Sequence, residues 1–286
     1  MTAPANPMRI GELLVGTFRF IRAYPAATLG IGALLATVDS VVSGVVLNGV
    51  VMQRGGIQGF LSRAGEPLTE ATLANLGADL AAALPWLITT LIVSFLVQLA
   101  ATGIMTMAVV RSRRELAVEP AELWRAVPWG RLLAINAVIL ALIVFVALVP
   151  VAIALVLGVP WLLTAAVAGV ITVAVAVTTA LAVPAAVDEQ CGAIAAIRRS
   201  VVLVRGGWWH TAAALLVANF LWSTAGSLVA APVGAIAGGL AGGSRSATGQ
   251  ALSDLLAGIT TGAIALPGIA IMTTLIFFAR RERSDQ

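Results

Sequence analysis

Charge is what this chain has least of. Between Leu132 and Val187 lie 56 residues without one Asp, Glu, Lys, Arg or His. Charged residues make up only 10% of the whole, against about 25% in soluble domains. A bilayer core of about 30 Å takes about 20 apolar residues as a helix. The uncharged stretch is therefore long enough to cross, turn and cross back, and Gly158-Val159-Pro160 is its natural turn. These absences exclude a soluble protein and predict one integral to a membrane.

Lysine is missing altogether, and all 17 basic residues are arginine. With abundant alanine and glycine this reads as GC-rich codon usage, as in an actinobacterial genome, and carries no arginine-specific chemistry. One cysteine, Cys191, excludes an internal disulfide. One histidine, His210, argues against a zinc site or a haem, so no cofactor is expected. The formal charge of +4 does not indicate nucleic acid, because the arginines flank apolar runs rather than forming one soluble patch. Residues 1–24 hold Arg9, Glu12, Arg19 and Arg22 without an apolar core, unlike a cleaved signal.

The apolar runs predict six spans: 26–48, 85–110, 132–150, 160–184, 210–238 and 252–279. Pro150 is expected to end or kink the third. Fourteen arginines fall before span one, between spans two and three, between four and five, and after span six; three (Arg54, Arg63, Arg245) fall on the opposite side. The positive-inside rule then puts both termini in the cytoplasm of a bacterial cell membrane. Residues 49–84 form one long outer loop, with Thr69 positioned to cap a short helix carrying Leu73, Leu76 and Leu80. Residues 239–251 read as a flexible outer loop.

Three short segments read as interfacial helices, each ahead of a two-span hairpin. Ile10, Leu13, Leu14, Thr17, Phe18 and Ile21 recur at helical spacing, with Arg9, Glu12, Arg19 and Arg22 mostly opposite. That predicts an amphipathic helix over 9–22 in the interface plane. Asp188 is placed to cap a second helix, which carries Ile194, Ile197, Val201, Val204 and Trp208 on one side and Arg198 and Arg205 on another. Trp208-Trp209 suits headgroup depth. Pro120 opens a third helix, followed by Leu123, Trp124 and Val127. The expected fold is an all-α membrane domain over 1–286: six transmembrane helices as three hairpins, each preceded by a cytoplasmic amphipathic helix.

Two segments, Met8–Pro25 (MRIGELLVGTFRFIRAYP) and Ala195–Trp209 (AAIRRSVVLVRGGWW), resemble the six-span membrane domain attached to some glycerophosphoryl diester phosphodiesterases, which also occurs alone. The resemblance implies a layout over nearly the whole chain, with its motifs confined to these two segments. In the fused members the chemistry belongs to a separate soluble barrel with a histidine pair and metal-binding carboxylates. With His210 alone, the resemblance implies no catalytic residue here.

Asp39 lies about 13 residues into span one, roughly 20 Å along the helix. A carboxylate there costs at least about 2.5–3.5 kcal/mol. It reads either as a proton or ion site helped by Ser40 and Ser43, or as a group satisfied inside the bundle. Gln98, Asn136 and Asn219 read as interhelical hydrogen bonds, at about 0.6 kcal/mol each, or as a substrate path. Pro85, Pro150, Pro184, Pro232 and Pro267 are candidate kinks. Arg19, Arg22, Arg198, Arg199 and Arg205, with Trp208 and Trp209, read as contacts for anionic lipid headgroups, at about 1 kcal/mol per arginine, or simply as topology anchors. Glu115, Glu119 and Glu122 read as charge balance. The expected function is non-enzymatic: a scaffold or accessory protein engaging anionic lipids, a protein partner or a second copy. The alternative is a small permease built on Asp39.

Overall fold

The computed structural model describes residues 10–46, 70–157, 161–241 and 246–284. Among these the regular structure is entirely helical. In chain order come α1 (Ile10–Ala23), a π-helical turn (Ala26–Gly30), α2 (Ile31–Val46), α3 (Glu70–Arg113), α4 (Pro120–Ala126) and α5 (Trp129–Leu157). There follow α6 (Trp161–Thr179), α7 (Ala182–Asp188), α8 (Ala193–Arg205), α9 (Trp208–Leu240) and α10 (Ala247–Ser284). Six stretches are long and apolar enough to cross a membrane: Ala26–Gly44, Ile88–Arg113, Trp129–Val146, Ala166–Asp188, Trp208–Leu240 and Thr248–Ser284. The protein is an all-α, multi-pass membrane protein. The short helices α1, α4 and α8 precede spans one, three and five.

The structure redraws several boundaries. Residues 70–84 of the expected outer loop are helical and continue through Pro85 into span two, so that α3 is 44 residues long. The side-chain stripe of Leu73, Leu76 and Leu80, and the Thr69 cap, lie outside the described residues, as does the turn at 158–160. Helix α5 does not end at Pro150 but reaches Leu157. The expected loop over 239–251 is mostly helix, since α9 reaches Leu240 and α10 begins at Ala247. Ser246 caps α10: its Oγ accepts from the Gly249 N–H at 3.0 Å, supplying one of the four donors that a helix start leaves unmatched. Pro232 and Pro267 lie inside α9 and α10.

Span four is broken. Helix α6 stops at Thr179 and α7 restarts at Ala182, with Pro184 in its first turn. Proline cannot donate to the carbonyl one turn back, so the helix is interrupted just before it. The groups released by the break meet Ser200 of α8, whose Oγ donates to the Thr178 carbonyl at 2.6 Å and accepts from the Leu181 N–H at 3.2 Å.

The chain divides into two compact units. The first comprises Met1–Gly30, Ala101–Trp222 and Leu266–Gln286. Its core contains Ile104, Met105, Leu132, Ile271, Met272 and Phe277, all fully buried. Thr106 and Thr274 share a hydrogen bond of 3.0 Å inside that core. Gly268 leaves room for the Trp222 ring, which a Cβ would meet within 2.6 Å.

The second unit comprises Ile31–Ala100 and Ser223–Ala265. Here α9 and α10 meet along small residues. A Cβ on Gly226 would lie 2.7 Å from the Thr261 carbonyl, one on Gly234 3.1 Å from that of Ser253, and one on Gly238 3.2 Å from that of Gly249. Spacings of eight and four residues on both helices keep these positions on one face and let the backbones approach closely, as small residues do where lipid offers no hydrophobic drive to association.

Candidate functional site

The arginine-bearing segments converge at one end of the first unit, and local backbone chemistry sets them there. At the end of α3 the Leu116 N–H bonds the Arg111 carbonyl, and the Glu115 N–H bonds that of Ser112. This is a Schellman closure with Glu115 in the left-handed position at φ 57°. It turns the chain into α4, whose first residue is Pro120. Arg111 holds that turn by donating to the Ala117 carbonyl at 2.8 Å and by pairing with Glu122. Gln190 adopts the same left-handed conformation after α7, at φ 52°, and its carbonyl accepts from Arg131 at 2.8 Å.

Asp188 is the hub, and its role differs from the one its position suggests. It ends α7 rather than capping α8, whose N-cap is Gly192. Its carboxylate, with 9% of the side chain exposed, pairs with Arg114 at 3.4 Å and with Arg281. One acid thus joins the connection after span two, the connection after span four and the end of span six. Arg113 reaches Glu282 at 3.5 Å and lies 4.0 Å over the Phe278 ring. Tyr24, just after α1, meets Ser112 at 3.4 Å. The end of α1, the connection after span two, the connection after span four and the end of span six therefore meet at one end of the first unit.

The sequence-predicted residues sort by direction. Arg199 faces inward and pairs with Glu189 at 3.1 Å. Arg19, Arg22, Arg198 and Arg205 are exposed and have no carboxylate partner among the described residues. Large apolar side chains are exposed on the same helices: Phe18 is 68% and Ile194 76% exposed, and Trp209 at the start of α9 is 78% exposed. Trp208 begins α9 instead of completing the α8 stripe, and its ring meets that of Trp209 edge-on at 4.7 Å. The buried side of α8 is Ala196, Ser200, Leu203 and Val204. Ile194 and Val201 of the expected apolar stripe point outward with the arginines.

Burial and the neighbouring Glu189 carboxylate push the Cys191 thiol above its ordinary value. His210 is exposed at the start of α9. Among the described residues no three His, Cys, Asp or Glu side chains group as a metal site would require.

Asp39 belongs to the second unit. It is half-buried on α2 and accepts a hydrogen bond from Ser94 of α3 at 2.5 Å. Ser40 packs against Gly258, where a Cβ would lie 2.7 Å from its Oγ. Asn136 bonds the Leu132 carbonyl of its own helix at 3.0 Å rather than a neighbouring helix.

Sequence reasoning used Arg280 only in counting charges by side. The structure buries it to 7% exposure. Its Nη2 donates to the Gly207 carbonyl at 2.6 Å, and its Nε has no partner. No family model, curated protein or solved structure matches this chain.

Proposed function

We propose that this protein is a non-enzymatic scaffold of a bacterial cell membrane whose arginine-rich end faces the cytoplasm and engages anionic lipid headgroups. One observation carries the reading. Arg114, Arg199 and Arg281 have carboxylate partners, whereas Arg19, Arg22, Arg198 and Arg205 have none among the described residues and point outward beside exposed Phe18, Ile194 and Trp209. Exposed apolar groups beside unpaired guanidinium groups match the boundary between headgroups and acyl chains, where the stem sits in hydrocarbon and the charge in the polar layer. Arg198 and Arg205 are seven residues apart on one side of α8, about 10 Å along its axis, and each adds about 1 kcal/mol beside an anionic leaflet. The resemblance to the stand-alone phosphodiesterase-associated membrane domain agrees with a protein that handles or organises lipid without chemistry of its own. The Asp39–Ser94 hydrogen bond supports a structural role for Asp39 over the permease reading.

The test is native mass spectrometry of protein purified in mild detergent. Anionic lipid carried by the wild type and by Asp39→Asn, but depleted from Arg198→Ala/Arg205→Ala, is the expected pattern. Equal retention by all three removes the lipid-engaging reading. Loss of a ligand with Asp39→Asn alone makes a permease the better account.

A further inference from the structure

Arg280 combines two features that oppose each other. Its guanidinium is desolvated, and no carboxylate pairs with it among the described residues. Burying a charge without a counter-ion is strongly unfavourable. It also lies at the wrong end of a helix. Gly207 is the N-cap of α9, since its carbonyl accepts the first intrahelical bond, from the Thr211 N–H at 3.1 Å. The guanidinium packs directly on that glycine, and a Cβ there would come within 2.7 Å of its central carbon. Helix starts carry the positive end of the macrodipole and favour anions. Here a buried cation occupies the space where a capping oxygen belongs.

Three more features surround this point. The N–H groups of Trp208, Trp209 and His210 lie in the first turn of a 33-residue helix, where they have no intrahelical acceptor. The Arg280 Nε is buried without a partner. Arg205, two residues before the cap, is exposed at the rim. Apart from the Gly207 carbonyl, which accepts from Arg280 Nη2 at 2.6 Å, these groups are donors or positive charges, an arrangement that suits an oxyanion.

We infer that Arg280 and the N-terminus of α9 form a binding site for one phosphate group, with Arg205 at its rim. A tetrahedral oxyanion accepts from a planar guanidinium and from first-turn N–H groups together. The ligand is a phosphate monoester or diester, carried either by a lipid headgroup or by a soluble phosphate. The exposed indole of Trp209 puts the site at headgroup depth. This deepens the lipid-engaging reading and rests on it for the ligand class, but it depends on a different residue from the outward surface of α1 and α8.

Two arms separate the sources. In one, delipidated protein in detergent is titrated with inorganic phosphate against matched chloride, and its melting temperature is followed. In the other, protein reconstituted with phosphatidylglycerol is analysed by native mass spectrometry for a single stoichiometric adduct. The wild type gains stability in phosphate or carries one phospholipid. Arg280→Gln loses both responses, and Arg280→Lys, which keeps the charge without the fork, binds about tenfold more weakly. A wild type indifferent to both ligands overturns the site, as does an Arg280→Gln protein that responds like wild type. If Arg280→Gln does not fold, equal binding by Arg280→Lys and wild type overturns it instead. Arg22→Ala/Arg198→Ala tests the surface reading separately. It should deplete loosely held anionic lipid and leave the single adduct in place; loss of that adduct in this variant overturns the assignment to Arg280.

Discussion

Ser200 and Thr178 lie on different helices, yet the serine hydroxyl donates to the threonine carbonyl at 2.6 Å and closes a break in span four. The same oxygen accepts from Leu181, so one buried side chain supplies both a donor and an acceptor to an interrupted backbone. Ala196, Leu203 and Val204 are buried on the same side of α8, so the hydroxyl adds its two hydrogen bonds to an apolar contact.

Ser200→Ala should therefore leave a buried carbonyl and a buried N–H unmatched, at a cost of about 1–3 kcal/mol. Unfolding in detergent, followed by circular dichroism against denaturant, reads the effect. A variant as stable as the wild type would show that the break satisfies itself without α8.

Asp188→Asn removes the charge that two arginines share. Arg114 is 54% exposed, so solvent screens much of its part, and most of the loss comes through Arg281. The expected destabilisation is about 2 kcal/mol, below that of a fully buried pair. A double-mutant cycle with Arg281→Gln isolates the coupling, and a coupling of zero would mean that the pair adds nothing.

Cys191 should alkylate slowly at neutral pH. Only the thiolate reacts, and burial together with Glu189 raises the thiol above its ordinary value. The maleimide rate should climb only on the alkaline side of a free thiol's profile. Glu189→Gln removes a repelling charge, lowers the midpoint and speeds labelling. An unchanged profile in that variant would eliminate Glu189 as a cause.

The small-residue seam of the second unit distinguishes glycines by position. Gly226→Val drives a side chain into the Thr261 backbone and should destabilise by about 1–3 kcal/mol, as overpacking does. Gly239→Ala meets nothing within 4 Å and should be neutral or gain about 0.5–1 kcal/mol from helix propensity. Thermal aggregation of the two variants, side by side, decides between a packed seam and a lipid-filled one.

What the sequence disclosed was whatever repeats along one helix or exceeds one bilayer thickness. The six spans followed from uninterrupted apolar length, and α1 from a stripe that needs no partner to be visible. Pairings across long separations left no such trace. Asp188 looked like a cap because a carboxylate before an apolar helix commonly is one; its partners are 74 and 93 residues away. Glycine abundance read as codon usage, because the seam appears only when positions 226, 234 and 238 are set against 261, 253 and 249. The break at Pro184 was legible as a kink, but the hydroxyl that repairs it was not. Arg280 looked like one more flanking arginine, since its burial depends on which helix start lies beside it.

The Asp188 junction also fixes an order of events during synthesis. Asp188 emerges 93 residues ahead of Arg281, and Arg114 is already present by then. During the time it takes to make and insert the last hairpin, the acid has one weak partner and no lock. The sixth span therefore arrives as a bolt: its basic end completes the junction only after every earlier span has been synthesised. A nascent chain halted before Arg281 would hold the acid without the arginine that completes its junction.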